Sequence, residues 1–450
     1  MSDGELAIVL HTHMPYVEGF GTWPFGEEWL WEAVATSYLP LVGLLEGLGP
    51  RAGGRLTLSL TPVLCDQLAA PGALGRCLAF LREVRPASHA LDREQYAGDR
   101  ALTAALEASA CAYAAAAQRL AVLEAGEGLL AALGRHVSFT SAATHAVLPL
   151  LALDAGVRLQ LAVGTDAHRR RFGGWAGGLW LPECGYADWL DPLLAEAGVR
   201  HACVEFPDGG RSPYATAAGT LLWPLDREVV DLVWGRDGYP SSSGYRADDR
   251  RTPRHHRLWS TDGTPYDPDR AAELVARHAR HFVAAVQARV RSGGVCVCAL
   301  DTELLGHWWH EGVDWLAAVL READRAGLPL TALDEAAAGR HPPTPIGRRG
   351  ERPSSWGLGR DLRNWSEPPV ADLARLARSA ELSVLGAPAV SARAVRELLA
   401  LQSSDWAFMA YRGWAGDYPR QRFTGHLRAL ADALRGEPLD PWLRHLAPYL

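Results

Sequence analysis

The sequence predicts a parallel β/α barrel followed by an α-helical domain, and three observations carry that prediction. Four short apolar runs each stop abruptly in residues capable of chemistry; helical patterns lie between them; and a proline-, glycine- and arginine-rich stretch at 340–353 precedes a region of amphipathic helical patterns. Strand, helix, strand repetition argues for parallel pairing, and in a β/α barrel the loops after the carboxyl ends of the strands build the active site. A doubly wound open sheet also places ligands at strand ends, but it sends fewer separate strands to one pocket.

The first run is LAIVL, followed by His11, Thr12 and His13. The second is HVSFT, followed by Thr144 and His145; the third, GGLWLP, is followed by Glu183; and the fourth, GVCVCAL, ends in Asp301, Thr302 and Glu303. Between them, the Ala-rich stretch 100–133 and the stretch 269–290 carry apolar residues at helical spacing. The segment 239–267, YPSSSGYRADDRRTPRHHRLWSTDGTPYD, is too polar and turn-rich for a core element and is expected to be a long excursion over the barrel mouth. The expected division is a catalytic barrel over 1–340, with a loop insertion at about 205–268, and a C-terminal helical domain over 345–450 that completes the substrate cleft.

Composition narrows the chemistry. The 450 residues can bury a substantial core, and a formal charge of −7 gives no reason to expect a nucleic-acid partner. There is no lysine, so Schiff-base, pyridoxal-phosphate and phosphate-loop chemistries that need one are excluded. The seven cysteines are odd in number and contain no CxxC pair, which argues against disulfides and zinc knuckles. The amino-terminal apolar run is only five residues, too short for a signal peptide or anchor, so a soluble cytoplasmic protein is expected.

Glu183, in WLPECGY, is a strand-end carboxylate flanked by Trp180, Tyr186 and Trp189. Flat aromatic faces suit the apolar faces of sugar rings; the plain alternative is an acid forming an ion pair at a strand end. Asp301 repeats the pattern in ALDTELLGHWWHEG, with Trp308 and Trp309 close behind. Two such carboxylates suggest glycoside cleavage with retention, in which one attacks the anomeric carbon and a second protonates the leaving oxygen. Glu303 is the decoy, and Asp301 is preferred because it lies closer to the strand end. His11, His13 and His145 admit three readings: satisfied strand-end histidines, zinc ligands of a metal-dependent barrel hydrolase, or hydrogen-bond donors to sugar hydroxyls. The high aromatic content favours the last. Several of the 17 tryptophans, Trp23, Trp29, Trp308, Trp309, Trp356, Trp365, Trp406 and Trp414, are expected in loops, where about half of them are expected to stack on ligand.

Taken in order, HTHMPYVEGFGTWPFGEEWLWEA, TSAATHAVLPLL, WLPECGY, ALDTELLGHWWHEG and LLALQSSDWAFM resemble the sequence regions of glycoside hydrolase family 57 branching enzymes acting on 1,4-α-glucan, from residue 5 to about 430. The resemblance implies a (β/α)7 barrel with a C-terminal helical domain, a retaining mechanism without metal or cofactor, and an α-glucan such as amylose or glycogen as substrate. It makes Glu183 the nucleophile and Asp301 the proton donor. His11, His13 and His145 become subsite residues, and Arg246, Trp356 and Asp405 substrate-binding positions, to which the aromatic pattern adds Trp23, Trp29, Trp308 and Trp406. One departure stands out: 204–234 is shorter than the family pattern, in which a tyrosine-bearing loop closes over the intermediate. Tyr214, in RSPYAT, is read as its remnant. A shortened lid admits water, so α-1,4-glucan hydrolysis is the alternative to chain transfer.

Overall fold

The computed structural model describes residues 4–49, 54–437 and 445–450; the part of the expected helical domain at 438–444 lies outside the described residues. Its centre is a nine-stranded sheet built from β1 (Glu5–Thr12), β2 (Leu56–Leu60), β3 (Val137–Ser141), β4 (Gly178–Trp180), β5 (His201–Val204), β6 (Tyr214–Ala215), β7 (Leu221–Pro224), β8 (Val295–Asp301) and β9 (Thr344–Pro345). The spatial order is β8-β1-β2-β3-β4-β5-β7-β6-β9. Every neighbouring pair from β8 through β7 is parallel, which makes seven barrel strands, while β6 returns antiparallel on β7 and β9 lies parallel to β6. The barrel ladder is open between β7 and β8, where backbone hydrogen bonds from Asp226 N to Val297 O (2.9 Å) and from Val295 N to Arg211 O (2.8 Å) bridge the gap. This is the incomplete (β/α)7 barrel, with helices around it and after it.

Strand alternation explains where the reactive residues go. In β1, Leu6, Ile8 and Leu10 pack outward into the helical layer, whereas Ala7 and Val9 join Phe139, Trp180, Cys203, Trp223, Val295, Val297 and Ala299 inside the barrel. Continuing the period of two, His11 follows Val9 and Asp301 follows Ala299 onto the inward face at the carboxyl ends of their strands. The register pairs His11 with Asp301 on one side and with Ser59 on the other. A one-residue slip would turn His11 toward the helices and Leu10 toward the polar mouth. Each fully buried leucine or isoleucine is worth about 1.5–3 kcal/mol, so three such residues on β1 fix the register strongly.

The helix Pro268–Val290 begins at Asp267, whose carboxylate accepts from the amides of Asp269 and Arg270, with Pro268 at the first helical position. Its buried face, including Leu274, Phe282 and Val286, packs on the outside of the barrel. The sequence-predicted helix at 100–133 is two helices, Arg100–Ala125 and Leu129–Gly134, separated by Gly126 and Gly128.

The expected loop insertion at about 205–268 needs correction, because it contains barrel strand β7 and the helix Arg227–Trp234 that follows it. The run LLWP is too short and too close to turn residues to register as a strand by pattern. The excursion at 239–267 is irregular, as expected, and is pinned near its middle by Asp92, which accepts from Thr252 (2.5 Å), Arg254 (2.7 Å) and His256 (2.7 Å).

Beyond β9 the chain crosses the barrel mouth and then forms the helices Ala371–Leu385, Ala392–Leu401, Ser404–Arg412 and Tyr418–Leu434, packed around Leu398, Trp406 and Phe423. All seven cysteines are free. Among the described residues, no helix is long and apolar enough to cross a membrane.

Candidate active site

The ends of β1, β2, β3, β4 and β8 converge with the segments 354–356 and 403–405. His11, on β1, has its Nδ1 3.2 Å from Ser59 Oγ and its Nε2 3.0 Å from Nε2 of His145. Its ring stacks on Trp180, centroids 4.4 Å apart. Burial holds His11 and His145 well below the ordinary imidazole range, and neighbouring His13 adds to the effect on both. Both rings are therefore neutral at pH 7, and in the Nε2–Nε2 contact one donates and the other accepts.

His13 differs. Its Nδ1 lies 3.1 Å from Thr61 Oγ1, and its Nε2 lies 3.2 and 3.1 Å from the two oxygens of Asp405. Burial opposes its charge, but Asp405, Glu303 and Glu183 outweigh burial and raise it. Asp405 is correspondingly lowered: His13 and the Ser403 hydroxyl outweigh the effect of burial. Asp405 favours the protonated form of His13, and the pair ties the end of β1 to the C-terminal helices.

Glu183 follows β4 in a left-handed backbone turn, with φ of 60° and 51° at Glu183 and Cys184; His145, across the mouth, has φ of 62°. Non-glycine residues in that region cost of order 1–3 kcal/mol and cluster at functional sites. The turn is held from outside by antiparallel pairing of Tyr186 with Ser354 and by the hydrogen bond from Trp356 N to Glu183 O (3.0 Å). The Trp356 indole N–H donates to Glu183 Oε2 at 2.8 Å, and His145 Nδ1 stands 3.6 Å from Oε1. His145 itself is oriented by Ser404, whose Oγ is 2.9 Å from Nδ1 and whose amide donates to His145 O at 3.1 Å. Burial raises the Glu183 carboxyl, opposed by the donors Trp356 and Ser404.

Asp301 ends β8 with its side chain at the inward mouth. Burial first, then the like charges of Glu303 and Glu183, hold it well above the usual carboxylate range. Glu183 is among the charges that raise Asp301, which places the two carboxylates in one electrostatic neighbourhood. Glu303 points elsewhere: its Oε1 accepts from Tyr38 OH at 2.6 Å and from His13 N at 3.2 Å. Burial pushes it up to about 7. Tyr38 closes a π-helical turn at Val34–Tyr38, a distortion frequent near functional sites.

A cavity of about 690 Å³ does not touch Glu183 or Asp301. It opens beside the loop after Asp301 and is lined by Trp23, Trp29, Arg246, His307 and Trp308 among others. Arg246 is buried, with its amide donating to Glu311 Oε1 (3.1 Å) and its guanidinium 4.1 Å from the Tyr266 ring.

The structure thus gathers Glu183, Asp301, His11, His13, His145, Trp356 and Asp405 at one mouth and places Trp23, Trp29, Arg246 and Trp308 around the adjoining cavity. Two expectations fail. Trp406 is 1% exposed on the helix Ser404–Arg412; its indole donates to Ala400 O at 2.8 Å and Arg422 lies over its face, so no ligand can stack on it. Tyr214 is buried in β6, donates to Gly209 O at 2.7 Å and is covered by Arg349, so it stands in a packed wall instead of in a lid. Trp29, Trp365 and Trp406, expected in loops, are helical, and Trp309 and Trp365 are buried.

Ser59, Thr61, Tyr38 and Ser404 were not singled out from sequence. Ser59 and Thr61 carry a legible signal, the alternation in LTLSLT, whereas nothing local marks Tyr38. Among the described residues, no group of three or more His, Cys, Asp and Glu side chains has an arrangement that could hold a metal ion.

Comparison with known proteins identifies the family. Residues 130–347 match the family model Glycosyl hydrolase family 57, and residues 371–447 match that of the 1,4-alpha-glucan branching enzyme C-terminal region. The chain is 31% identical to a 1,4-alpha-glucan branching enzyme of Thermococcus kodakarensis, covering 94% of this chain and 72% of that protein. It is 33% identical to a probable 1,4-alpha-glucan branching enzyme of Mycobacterium tuberculosis, covering 95% and 91%. The solved GH57-type branching enzyme from Pyrococcus horikoshii superposes with a TM-score of 0.87 at 30% identity, over 97% of this chain and 92% of that one.

Proposed function

The chain belongs to glycosyl hydrolase family 57, in its branching-enzyme type, and from that premise we propose that Glu183 and Asp301 carry the two halves of a retaining reaction on an α-glucan. The protein cleaves α-1,4 linkages and rejoins the released chain to form α-1,6 branches. The observation that supports the residue assignment is that burial raises both carboxyls, while indole and hydroxyl donors oppose the rise at Glu183 and like charge adds to it at Asp301.

In this reading a Glu183 carboxylate oxygen attacks the anomeric carbon. The bond to the glycosidic oxygen breaks, its electron pair stays on that oxygen, and Asp301 supplies the proton. The leaving chain departs, and the 6-hydroxyl of an acceptor then attacks the same carbon. Asp301, now ionised, takes the hydroxyl proton as the carbon–Glu183 bond breaks, which restores both carboxyls. His145, neutral and fixed by Ser404, faces Glu183; His11 stacks on Trp180 and His13 is paired with Asp405, so these groups are set to orient the sugar at the reacting position. Arg246, Trp23, Trp29, Trp308, Trp356 and Asp405 serve as binding positions. Amylose and glycogen are the substrates the reading favours. The catalytic barrel over 1–340 and a helical domain from about 345 form the two halves of the cleft, the latter contributing Trp356 and Ser404.

Hydrolysis is a second reading, favoured by one observation: Tyr214 is packed in the wall, and the short 205–220 segment brings no tyrosine over the mouth. Incubation with amylose separates the two. Branching lowers iodine staining and creates debranching-sensitive points with little new reducing sugar; hydrolysis releases reducing ends in proportion to the loss of staining. Loss of neither product in Glu183→Gln would refute the assignment of the nucleophile.

A further inference from the structure

A polar, turn-rich segment has little apolar surface to hold it down, yet loop 239–267 is tightly shaped. Its two arms are joined by the antiparallel bridge between Arg246 and Ser260 and by the hydrogen bond from Ala247 N to Trp259 O (2.9 Å), and Arg257 pairs with Asp248 across them at 2.8 Å. Residues 248–258 therefore project as a tongue. Its tip, 252–256, is a closed turn: Thr252 N donates to His256 O (2.9 Å), the amides of Arg254 and His256 donate to Thr252 Oγ1 (3.2 and 3.0 Å), and His255 takes a left-handed φ of 66°.

One residue grips that tip from outside the loop. Asp92, on the helix Arg85–Gln95, is fully buried and accepts from the Thr252 hydroxyl, the Arg254 guanidinium and His256 Nδ1 at 2.5, 2.7 and 2.7 Å. Ser88 and His89, one turn earlier on the same face, complete the seat: Ser88 Oγ lies 3.1 Å from His256 Nε2, and the His89 ring stacks on that of His256 with centroids 3.9 Å apart. A buried carboxylate is tolerated only when its oxygens are satisfied, so Asp92 and its three donors form or fail as a unit.

The grip reaches the reacting centre through the position of the tongue. His255 stands edge-on to Trp23 in the loop after β1, ring centroids 4.3 Å apart, and Arg257 donates at 2.5 Å to His307 O in the loop after β8. β1 and β8 are neighbours and carry His11 and Asp301 at their carboxyl ends, so the tongue bridges the two loops beside Asp301. The second nucleophile must arrive on that side, because Asp301 takes its proton. The segment that bears the closing tyrosine in the family pattern is short here and Tyr214 is packed in the wall, which leaves closure on this side to the tongue.

We propose that Asp92 is the positioning residue of a lid: by fixing the tip of the tongue it keeps loop 239–267 closed over the Asp301 side of the mouth, and so sets how often the glycosyl-enzyme is taken by a sugar hydroxyl instead of by water. This rests on the retaining two-carboxylate reading above. Either nucleophile bonds to the anomeric carbon as the bond to Glu183 breaks, and gives its proton to Asp301; the lid changes which of them arrives.

The test uses an α-maltooligosyl fluoride with maltoheptaose as acceptor. Fluoride release counts formation of the glycosyl-enzyme; transfer product and new reducing sugar count its two fates. In Asp92→Ala the ratio of transfer to hydrolysis should fall by roughly fivefold to tenfold, while fluoride release per folded molecule stays within about twofold. Thr252→Val removes one of the three donors with no change of shape; it should move the ratio the same way by roughly twofold to threefold, and it decides the matter if Asp92→Ala folds poorly. Trypsin should cut both variants faster after Arg254 and Arg257. The ratio is set within each folded molecule, so a loss of stability alone leaves it unmoved. An unchanged ratio, a fallen ratio with no faster cutting, or hydrolysis without transfer in the unmodified protein would overturn the inference. Absence of Glu183-dependent fluoride release in the unmodified protein would overturn the catalytic reading instead, so the two failures are distinguishable.

Discussion

Glu183 and Asp301 reach the same barrel mouth by different construction. Asp301 is the last residue of a regular strand and faces inward because Val295, Val297 and Ala299 do; nothing beyond strand alternation is needed to aim it. Glu183 sits past the end of its strand in a left-handed turn and depends on residues more than 170 positions later: Trp356 donates to both its backbone carbonyl and its carboxylate. The electrostatics divide the same way. Donors are arrayed on the Glu183 side, while like charge is arrayed on the Asp301 side through Glu303. Burial raises both carboxyls, and the surrounding donors and charges, not the residue types, set the difference between them.

This contrast can be broken most sharply by removing each carboxylate in turn. Glu183→Gln is expected to lower activity by ~10⁴-fold on amylose and on a glycosyl fluoride alike. Asp301→Asn should lose ~10² to 10⁴ on amylose but recover most of the first step on the fluoride, which leaves without protonation. Rates of fluoride release check both. Trp406→Ala probes the packing behind the helical wall. Because Trp406 is buried, the variant should lose about 3–5 kcal/mol of stability in chemical denaturation, with the ratio of branching to hydrolysis unchanged in the folded fraction.

Trp356→Phe sharpens the Glu183 side. Loss of a hydrogen bond to a charged group is worth about 1.5–3 kcal/mol, so kcat should drop by roughly tenfold to a hundredfold. With its donor gone, Glu183 holds its proton to higher pH, and the acidic limb of the rate profile should move up. Glu303→Gln addresses the Asp301 side. Glutamine can still accept from Tyr38 and His13, but the like charge next to Asp301 is gone. Asp301 should then lose its proton at lower pH, shifting the alkaline limb of kcat/KM downward with little change in fold.

The same contrast explains what was legible in the sequence. Strand-end residues carried by a run of alternating or apolar residues, His11, His145, Glu183 and Asp301, could be found because the run and the residue are contiguous. Strands β2, β5 and β7 are not among the four runs read from sequence: LTLSL alternates but is passed over, and HACV and LLWP are short and not set off by a marked strand-end residue as GGLWLP is by Glu183, so the expected insertion at about 205–268 swallows β7. Trp356 and Asp405 came from family resemblance, since no local pattern says that a crossing segment will return to Glu183. Ser404 and Tyr38 act only through tertiary contact. Tyr214 and Trp406 were misjudged because an aromatic residue among polar neighbours looks the same in a sequence whether it lines a cleft or fills a wall.

The direct measurement is covalent trapping. A 5-fluoro-α-glucosyl fluoride slows turnover of the glycosyl-enzyme, and digestion followed by mass spectrometry locates the sugar. The account predicts one added glycosyl group on the peptide containing Leu181–Gly185, with fragmentation placing it on Glu183, and none in Glu183→Gln. A label on Glu303 or Asp405, or turnover in which no glycosyl-enzyme accumulates, would contradict it.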